Sequence, residues 1–531
     1  MSIPMKTAPL ALLTVLLVLA GCGSDSRDDS PAAEAKPRVP GSQYGGHLRV
    51  GYAIEPTSLD AVLGRSGGDA YYWRQIFDQL VDADPGLEPR PETSLATRWE
   101  IAYDPDSITF YLREGVVFHD GTPFNSEAVK INVERILDPA TKATPRASMT
   151  VIESVDVVAE HVVRFNLKGP WGAGLNMLAD RGGVMNSPAM IEQLGPDYGW
   201  MPSGTGPFKV NKVITGTSVH LVRNKHYWGR DADGNRLPFL DEVTIRVIRD
   251  ETVLASALRT GEIDLAYLPY KEVASFSRDD RFAIEKMDGG SIALVLTFNV
   301  DFPPLDNVDV RRAIVHAIRP DVINRAIFFN KVIEADSGMW PIGAWAHDPD
   351  VQRPTYDPDK AREFLRRSGV QDVEFTAVTN NSPVLVPTAE IVRAMLKDIG
   401  ITMNIDVLNT GAATESFFHG QKYGLYVTSW SRYPEPDWVA SLAYKSDGYY
   451  NAGNVLRPDI DEMVQLGASL YGIDDRRRVY HELNALVLDE AWFVPMLYGV
   501  THAAAPARVR NLDTLIGWDG KMNLRQIWLE P

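Results

Sequence analysis

Gly46-His47-Leu48-Arg49-Val50-Gly51-Tyr52 reads as a β-strand that opens the folded part of the chain near Gly45, and strand-like and helix-like segments alternate from there to the C-terminus. That alternation sets the class as α/β. Leu294 to Phe298 is a continuous apolar run, the pattern of a strand covered on both faces. Between the strands, helices announce themselves by their ends. Val310 to Ile318 turns Ile314, Ala317 and Ile318 inward. A second helix starts at Asp357-Pro358 and stops at Gly369, with proline in the first turn and glycine past the last. A third has Asp474-Asp475 as candidate caps and an apolar face of Val479, Leu483, Leu486 and Val487.

A chain of 531 residues is too long for one hydrophobic core, so two or more lobes are expected. Its residues are 45% hydrophobic and 23% charged, an ordinary globular balance. The formal net charge of -17 repels nucleic acid and anionic membrane surfaces, which excludes both as main partners.

The N-terminus carries its own signals. Lys6 precedes an apolar run from Ala8 to Ala20, followed by Leu19-Ala20-Gly21-Cys22. The run is shorter than the roughly 20 residues a bilayer crossing needs and reads as a secretory signal. Cys22 is the single cysteine. Leu-Ala-Gly-Cys resembles the lipobox of bacterial lipoproteins, which implies cleavage before Cys22 and acylation of its thiol and new amine. Two or more acyl chains give stable anchoring. Residues 24–41, rich in Asp, Ser, Pro and Ala, cannot bury enough apolar surface to order themselves and read as a tether. The expected layout is a signal peptide at 1–21, a lipidated cysteine and tether at 22–44, then the globular part.

Catalytic motifs are missing. There is no G-x-S-x-G elbow, H-E-x-x-H pair, P-loop or G-x-G-x-x-G. The ten histidines show no ligand-like spacing, and His481-Glu482 lacks the second histidine of a metalloprotease helix. Asp231, Asp233, Asn235 and Glu242 match positions one, three, five and twelve of a calcium loop, but Arg236 stands where the turn glycine belongs. The run reads as a surface turn.

Read in order, further segments resemble the family 5 extracellular solute-binding proteins, the group of dipeptide- and oligopeptide-binding receptors. They include Gly51 to Asp60, Phe77-Asp78-Gln79-Leu80-Val81 and Leu95 to Glu100. The strongest is Phe110-Tyr111-Leu112-Arg113-Glu114-Gly115-Val116-Val117-Phe118-His119-Asp120-Gly121-Thr122-Pro123-Phe124. Gly204-Thr205-Gly206-Pro207-Phe208, Arg223 to Trp228, Gly261-Glu262-Ile263-Asp264, Asn299, Arg311 to Ile314 and Tyr356 to Ala361 follow.

The resemblance implies a two-lobed clamp of the periplasmic-binding-protein kind. Lobe I is expected at 45–80, 195–290 and 495–531, with an inserted subdomain at 81–194, and lobe II at 291–494. A hinge is expected near Val295 to Asn299 and Val494 to Tyr498. The implied role is capture of a peptide or similarly sized polar solute by an exported monomer, for delivery to an ABC permease and its ATPase subunits. Opine, oligosaccharide and nickel-chelate receptors, a sensor or chaperone without transport, and an exported hydrolase are the alternatives. No catalytic residue, cofactor or metal is expected.

Pocket candidates combine flat rings with polar handles. They are Trp430, Arg432, Tyr433 and Asp437, then Tyr71, Tyr72 and Trp73, then Asn299 and Tyr450. The aromatics would stack on the ligand, Arg432 would pair with an anion, and Asp437 would orient it or pair with a cation. Asp437 also suits the cap of a helix starting at Trp438. Peptide-binding members carry an acid a few places after a tryptophan, which pairs with the ligand's α-amino group. In Trp430-Ser431-Arg432-Tyr433-Pro434-Glu435-Pro436-Asp437 that place falls on Arg432 or Tyr433.

Overall fold

The computed structural model describes residues 43–84, 88–431, 435–453 and 455–531. The strands of its two larger sheets, in chain order, are β1 (His47–Tyr52), β2 (Ala96–Tyr103), β3 (Asp106–Leu112), β4 (Ile152–Ala159), β5 (Val162–Leu167), β6 (Phe208–Ile214), β7 (Ser218–Arg223), β8 (Glu242–Val247), β9 (Leu265–Tyr267), β10 (Phe282–Phe298), β11 (Ile333–Glu334), β12 (Glu374–Asn380), β13 (Thr402–Leu408), β14 (Leu425–Ser431) and β15 (Phe493–Pro506). The main sheet runs β13-β12-β14-β10-β15-β9-β1-β8-β7-β6, with β11 added beside β15. Four more strands form a separate sheet, β2-β3-β5-β4.

The long strands β10 and β15 belong to both halves of the main sheet. Toward one end they pair with each other and with β9, through Ala503 and Ala504 of β15. Toward the other, β10 pairs with β14 from Ser291 to Phe298. Between these ends the β10–β15 register slips at Asp288/Ser291, Ile292/Leu294 and Leu294/Val295. The composition explains the slips: Gly289-Gly290 and Gly499 weaken the ladder, and Pro495 offers no N–H to it. The stretch Val295 to Asn299, expected as a hinge, starts where the last slip ends and continues as regular pairing. The irregular segment lies on its N-terminal side.

Sequence signals that depend on neighbours in the chain are realised. Leu294, Val295, Leu296 and Phe298 are fully buried. The helix Pro358–Ser368 is capped by Asp357, whose side chain accepts from Lys360 N–H, and it ends on Gly369 at φ 70°. The helix Val308–Ala317 buries Ile314 and Ala317. The helix Ile473–Asp489 differs at its start. Gly472 is its cap residue, with no side-chain cap bond, and Asp474 and Asp475 sit in the first turn and pair with Arg477 and Arg478. There the carboxylates face the positive end of the helix dipole.

The segments that carried the family resemblance turn out to be joints of the scaffold. Asp78, fully buried, accepts from Thr205 Oγ1 at 3.0 Å, Tyr227 Oη at 3.1 Å, Trp228 Nε1 at 2.8 Å and Arg525 Nη2 at 2.9 Å. The His119 ring faces Gly206 O at 3.0 Å through Nε2 and accepts from Gly204 N–H at 3.3 Å through Nδ1. Burial pushes its pKa down to about 4, so the ring is neutral. Asp264 gathers Arg49 and Arg508. Each joint satisfies buried polar groups that would otherwise destabilise the fold.

The two halves touch in a second place. Trp171 N–H donates to Tyr471 Oη at 3.1 Å, and Ala173 N–H to Ala468 O at 3.3 Å. Arg476 donates to Gly172 O at 3.3 Å and pairs with Glu435, which accepts from Asn176 Nδ2 at 3.0 Å. Glu435 is fully buried. Among the described residues, no helix is long and apolar enough to cross a membrane.

Candidate functional site

The β14 side of the cleft is a wall of rings. Trp430, at the end of β14, meets Tyr450 at 5.3 Å and Phe493 at 5.7 Å between centroids. Tyr450, partly buried, also packs on Phe418 at 5.0 Å and Tyr449 at 4.8 Å. Trp430 itself is 9% exposed. Edge-to-face pairs of this kind fix ring orientation and leave apolar area for a ligand.

Asp437 follows in the helix Pro436–Val439, whose cap is Glu435, with its carboxylate accepting from Asp437 N–H at 3.2 Å. The Asp437 side chain faces inward, accepting from Ser441 Oγ at 3.0 Å and Tyr480 Oη at 3.4 Å. Burial, and then the neighbouring Glu435 carboxylate, push its pKa up to about 6. Asn299 is also enclosed. It donates to Gln421 Oε1 at 2.6 Å and accepts from Asp301 N–H at 3.2 Å. Arg432 and Tyr433 lie outside the described residues.

The facing wall comes from the segment after β1 and from the C-terminal tail. Tyr71, Tyr72 and Trp73 form one helical turn, and all three are buried. Tyr71 stacks on Tyr52 at 4.2 Å, meets Tyr267 edge-on at 4.9 Å, and donates to Gly520 O at 3.2 Å. Tyr72 donates to Ile54 O at 2.7 Å. The Trp73 indole N–H has no hydrogen-bond partner among the described residues.

Sequence reasoning missed the centre of this wall, the turn Trp518-Asp519-Gly520-Lys521. Arg74 reaches Asp519 at 2.6 Å and lies over the Trp518 ring at 4.8 Å. These residues line a cavity of about 230 Å³ together with Asp82, Ala83 and Arg525. Trp518 belongs to the same apolar cluster as Trp430 and Tyr498. The only local signal was turn chemistry, Asp-Gly between a ring and a lysine.

This wall has unused polar capacity. The buried Arg74 Nη2 and Tyr267 Oη have no hydrogen-bond partner among the described residues. The Lys521 ammonium faces the Tyr71 ring at 5.4 Å and, among the described residues, has no carboxylate within ion-pair distance. Burial pulls its pKa down while Asp519 and Asp180 oppose that. Asp180, likewise without an ion partner, is pushed up by burial against the pull of Arg181 and Arg74.

Residues 90–451 match the family described as "Bacterial extracellular solute-binding proteins, family 5 Middle". The chain belongs to this family. It is 28% identical over 439 residues to the glutathione-binding protein GsiB of Escherichia coli, covering 80% of this chain and 83% of that one. The periplasmic binding protein DppA of Helicobacter pylori, solved in complex with the peptide STSA, superposes with a TM-score of 0.78 at 24% identity, over 92% of this chain and 99% of that chain. The substrate-binding protein CtaP of Listeria monocytogenes superposes with a TM-score of 0.81 at 23% identity, over 92% and 100%. The fold is therefore the two-lobed α/β clamp of the periplasmic binding proteins, and the family is one of solute receptors.

Proposed function

We propose that this solute-binding protein is the extracytoplasmic receptor of an ABC importer and that its ligand is a short peptide or another zwitterion of that size. The observation that carries the ligand class is the pair of unlike charges, Lys521 and Asp180, which have no ion partner among the described residues beside the Trp518 turn. Lys521 with Arg74 would hold a ligand carboxylate, and Asp180 an ammonium. Charge-assisted hydrogen bonds of this kind gain strength as the cleft closes and water leaves. Trp430, Tyr450 and Tyr71 would supply stacking surface. GsiB, named for glutathione, and the peptide complex of DppA support the class.

In this reading lobe I comprises 45–80, 195–290 and 495–531, residues 81–194 are inserted into it, and 291–494 form lobe II. The lobes swing at the register slips between β10 and β15, and the ligand shifts the population toward the closed form. That form is presented to a permease with its ATPase subunits, while acyl chains on Cys22 and the tether hold the monomer at the membrane.

The test is a thermal-shift screen after denaturation and refolding to strip bound ligand. Glutathione and di- to pentapeptides are compared with their N-acetylated and C-amidated forms, and with neutral oligosaccharides. A ligand at a hundred times its dissociation constant adds about 2.7 kcal/mol, enough to raise the melting point by a degree or more. Free peptides are expected to stabilise, with either blocked form weaker. Stabilisation by oligosaccharides alone would overturn the ligand class.

A further inference from the structure

On the solvent face of the main sheet, away from the cleft wall, three neighbouring strands bring two imidazoles and a carboxylate together. In β1, Leu48 and Val50 point into the core; in β7, Val219 and Leu221; in β8, Val243 and Ile245. Strand alternation therefore turns His47, His220 and Glu242 to the opposite face. The register aligns them: His47 lies opposite Glu242 in the parallel β1–β8 pair, and His220 opposite Thr244 in the antiparallel β7–β8 pair.

One oxygen of Glu242 sits between the two rings. His220 Nε2 is 3.1 Å from Glu242 Oε2, and His47 Nδ1 is 3.9 Å from the same atom. The three atoms all lie within 4.8 Å of one another. The outer nitrogen of each ring is held as well. His47 Nε2 meets Thr244 Oγ1 at 2.8 Å, and Asn211 Nδ2 donates to His220 Nδ1 at 2.9 Å, so that without metal His220 Nε2–H donates to Glu242 at 3.1 Å. Metal binding would displace that proton and turn the Asn211 amide, whose oxygen would then hold Nδ1–H. Thr244 can fix the His47 tautomer the same way, leaving Nδ1 free. Hydrogen bonds to the outer nitrogens orient the rings of metal-bound histidines and raise their basicity.

We infer that His47 Nδ1, His220 Nε2 and a Glu242 oxygen form a surface site for a divalent transition metal of the zinc type, with water completing the shell. Two imidazoles and one carboxylate are a donor set that zinc accepts, and three protein ligands leave a position open. Zinc–ligand bonds of about 2.1 Å require the three atoms to close on a common centre by small side-chain rotations, while the sheet keeps the backbone fixed. Glu242, matched in the sequence to the last position of a calcium loop, takes no part in one. Asp231 instead accepts from Asp233 N–H at 3.0 Å and Asn235 N–H at 2.7 Å, closing an ordinary turn.

The test uses the full chain without a histidine tag, stripped with chelator and titrated with zinc chloride by calorimetry. Metal content is measured after dialysis. One zinc per chain is expected at micromolar affinity, and His220→Gln, His47→Gln and Glu242→Gln should each weaken it by at least about tenfold. His226→Gln, a histidine outside the cluster, should leave it unchanged. The melting points of the metal-free variants are compared with the parent, so that a folding defect is seen as such. Absence of stoichiometric zinc in the parent would overturn the site, and so would equal zinc binding by the parent and the His47→Gln/His220→Gln double variant.

Discussion

The two walls of the cleft differ in how fully their groups are satisfied. On the β14 side, Trp430, Tyr450, Phe418 and Phe493 complete each other's ring contacts, and Asp437 turns inward to Ser441 and Tyr480. In the second wall, Arg74 Nη2, Tyr267 Oη, Lys521 and Asp180 retain donors and charges unused among the described residues. The first wall offers area and shape, which many ligands can use. The second offers directional groups that are costly to leave unmet in an enclosed site, so in the proposed reading it would decide which chemistry is accepted.

Breaking the ion pair that holds the groups reaching Gly172 and Asn176 should have the largest effect. Arg476 is 5% exposed at its side chain and is paired with the fully buried Glu435. Arg476→Met strands that carboxylate, and the expected loss of stability is about 3–5 kcal/mol, read by denaturant unfolding. Glu435→Gln in the same background should recover part of it. No loss in the single variant would mean that the buried Glu435 carboxylate is satisfied without Arg476.

Gly172 comes next. A Cβ there would collide with the Leu470 carbonyl oxygen across the contact. Gly172→Ala should weaken ligand binding by about 100-fold, equivalent to about 2.7 kcal/mol, with little change in the melting point of the ligand-free protein. Calorimetry together with small-angle scattering checks this, because ligand should no longer compact the variant. Unchanged affinity would show that ligand capture does not need this contact.

Asp437 sharpens the comparison through pH. Its pKa of about 6 in the folded protein stands above the ordinary 3.8. The folded state therefore binds this proton more tightly than the unfolded chain. Its contribution is fully present below the lower value and is lost as pH rises through the higher one. Between about pH 4 and pH 7 the parent should lose about 1–3 kcal/mol relative to Asp437→Asn. Parallel stability curves for the two proteins would mean that the carboxyl is ionised without penalty.

The smallest effects should separate the walls most cleanly. Lys521→Met is expected to weaken ligands with a free carboxylate by about tenfold and to leave their amides unchanged. Trp430→Leu should weaken both forms equally, also by about tenfold. Equal losses for acid and amide in the lysine variant would remove Lys521 from charge recognition.

The scaffold was legible because its signals are local or keep their order along the chain. Asp357-Pro358 and Gly369 bound a helix wherever it lies, since caps and φ preferences act within a few residues. Leu294 to Phe298 is buried because a continuous apolar run has no polar face to show. The segments around Asp78, His119 and Asp264 mark the family because they are the polar joints of its fold. The candidate caps Asp474 and Asp475 were displaced by two residues, the usual ambiguity of a helix start.

The sequence by itself therefore determined the class and the family. Only the tertiary structure decided which charges stay unmet. Arg74 and Asp519 are separated by 445 residues, and the Tyr71 hydroxyl and Gly520 by 449. It also decided that His47, His220 and Glu242 share one face, because the order of strands in the sheet is not their order in the chain. Local preferences fix what a segment becomes, whereas burial, ion pairing and ligand geometry depend on which distant segments the packed sheet places side by side.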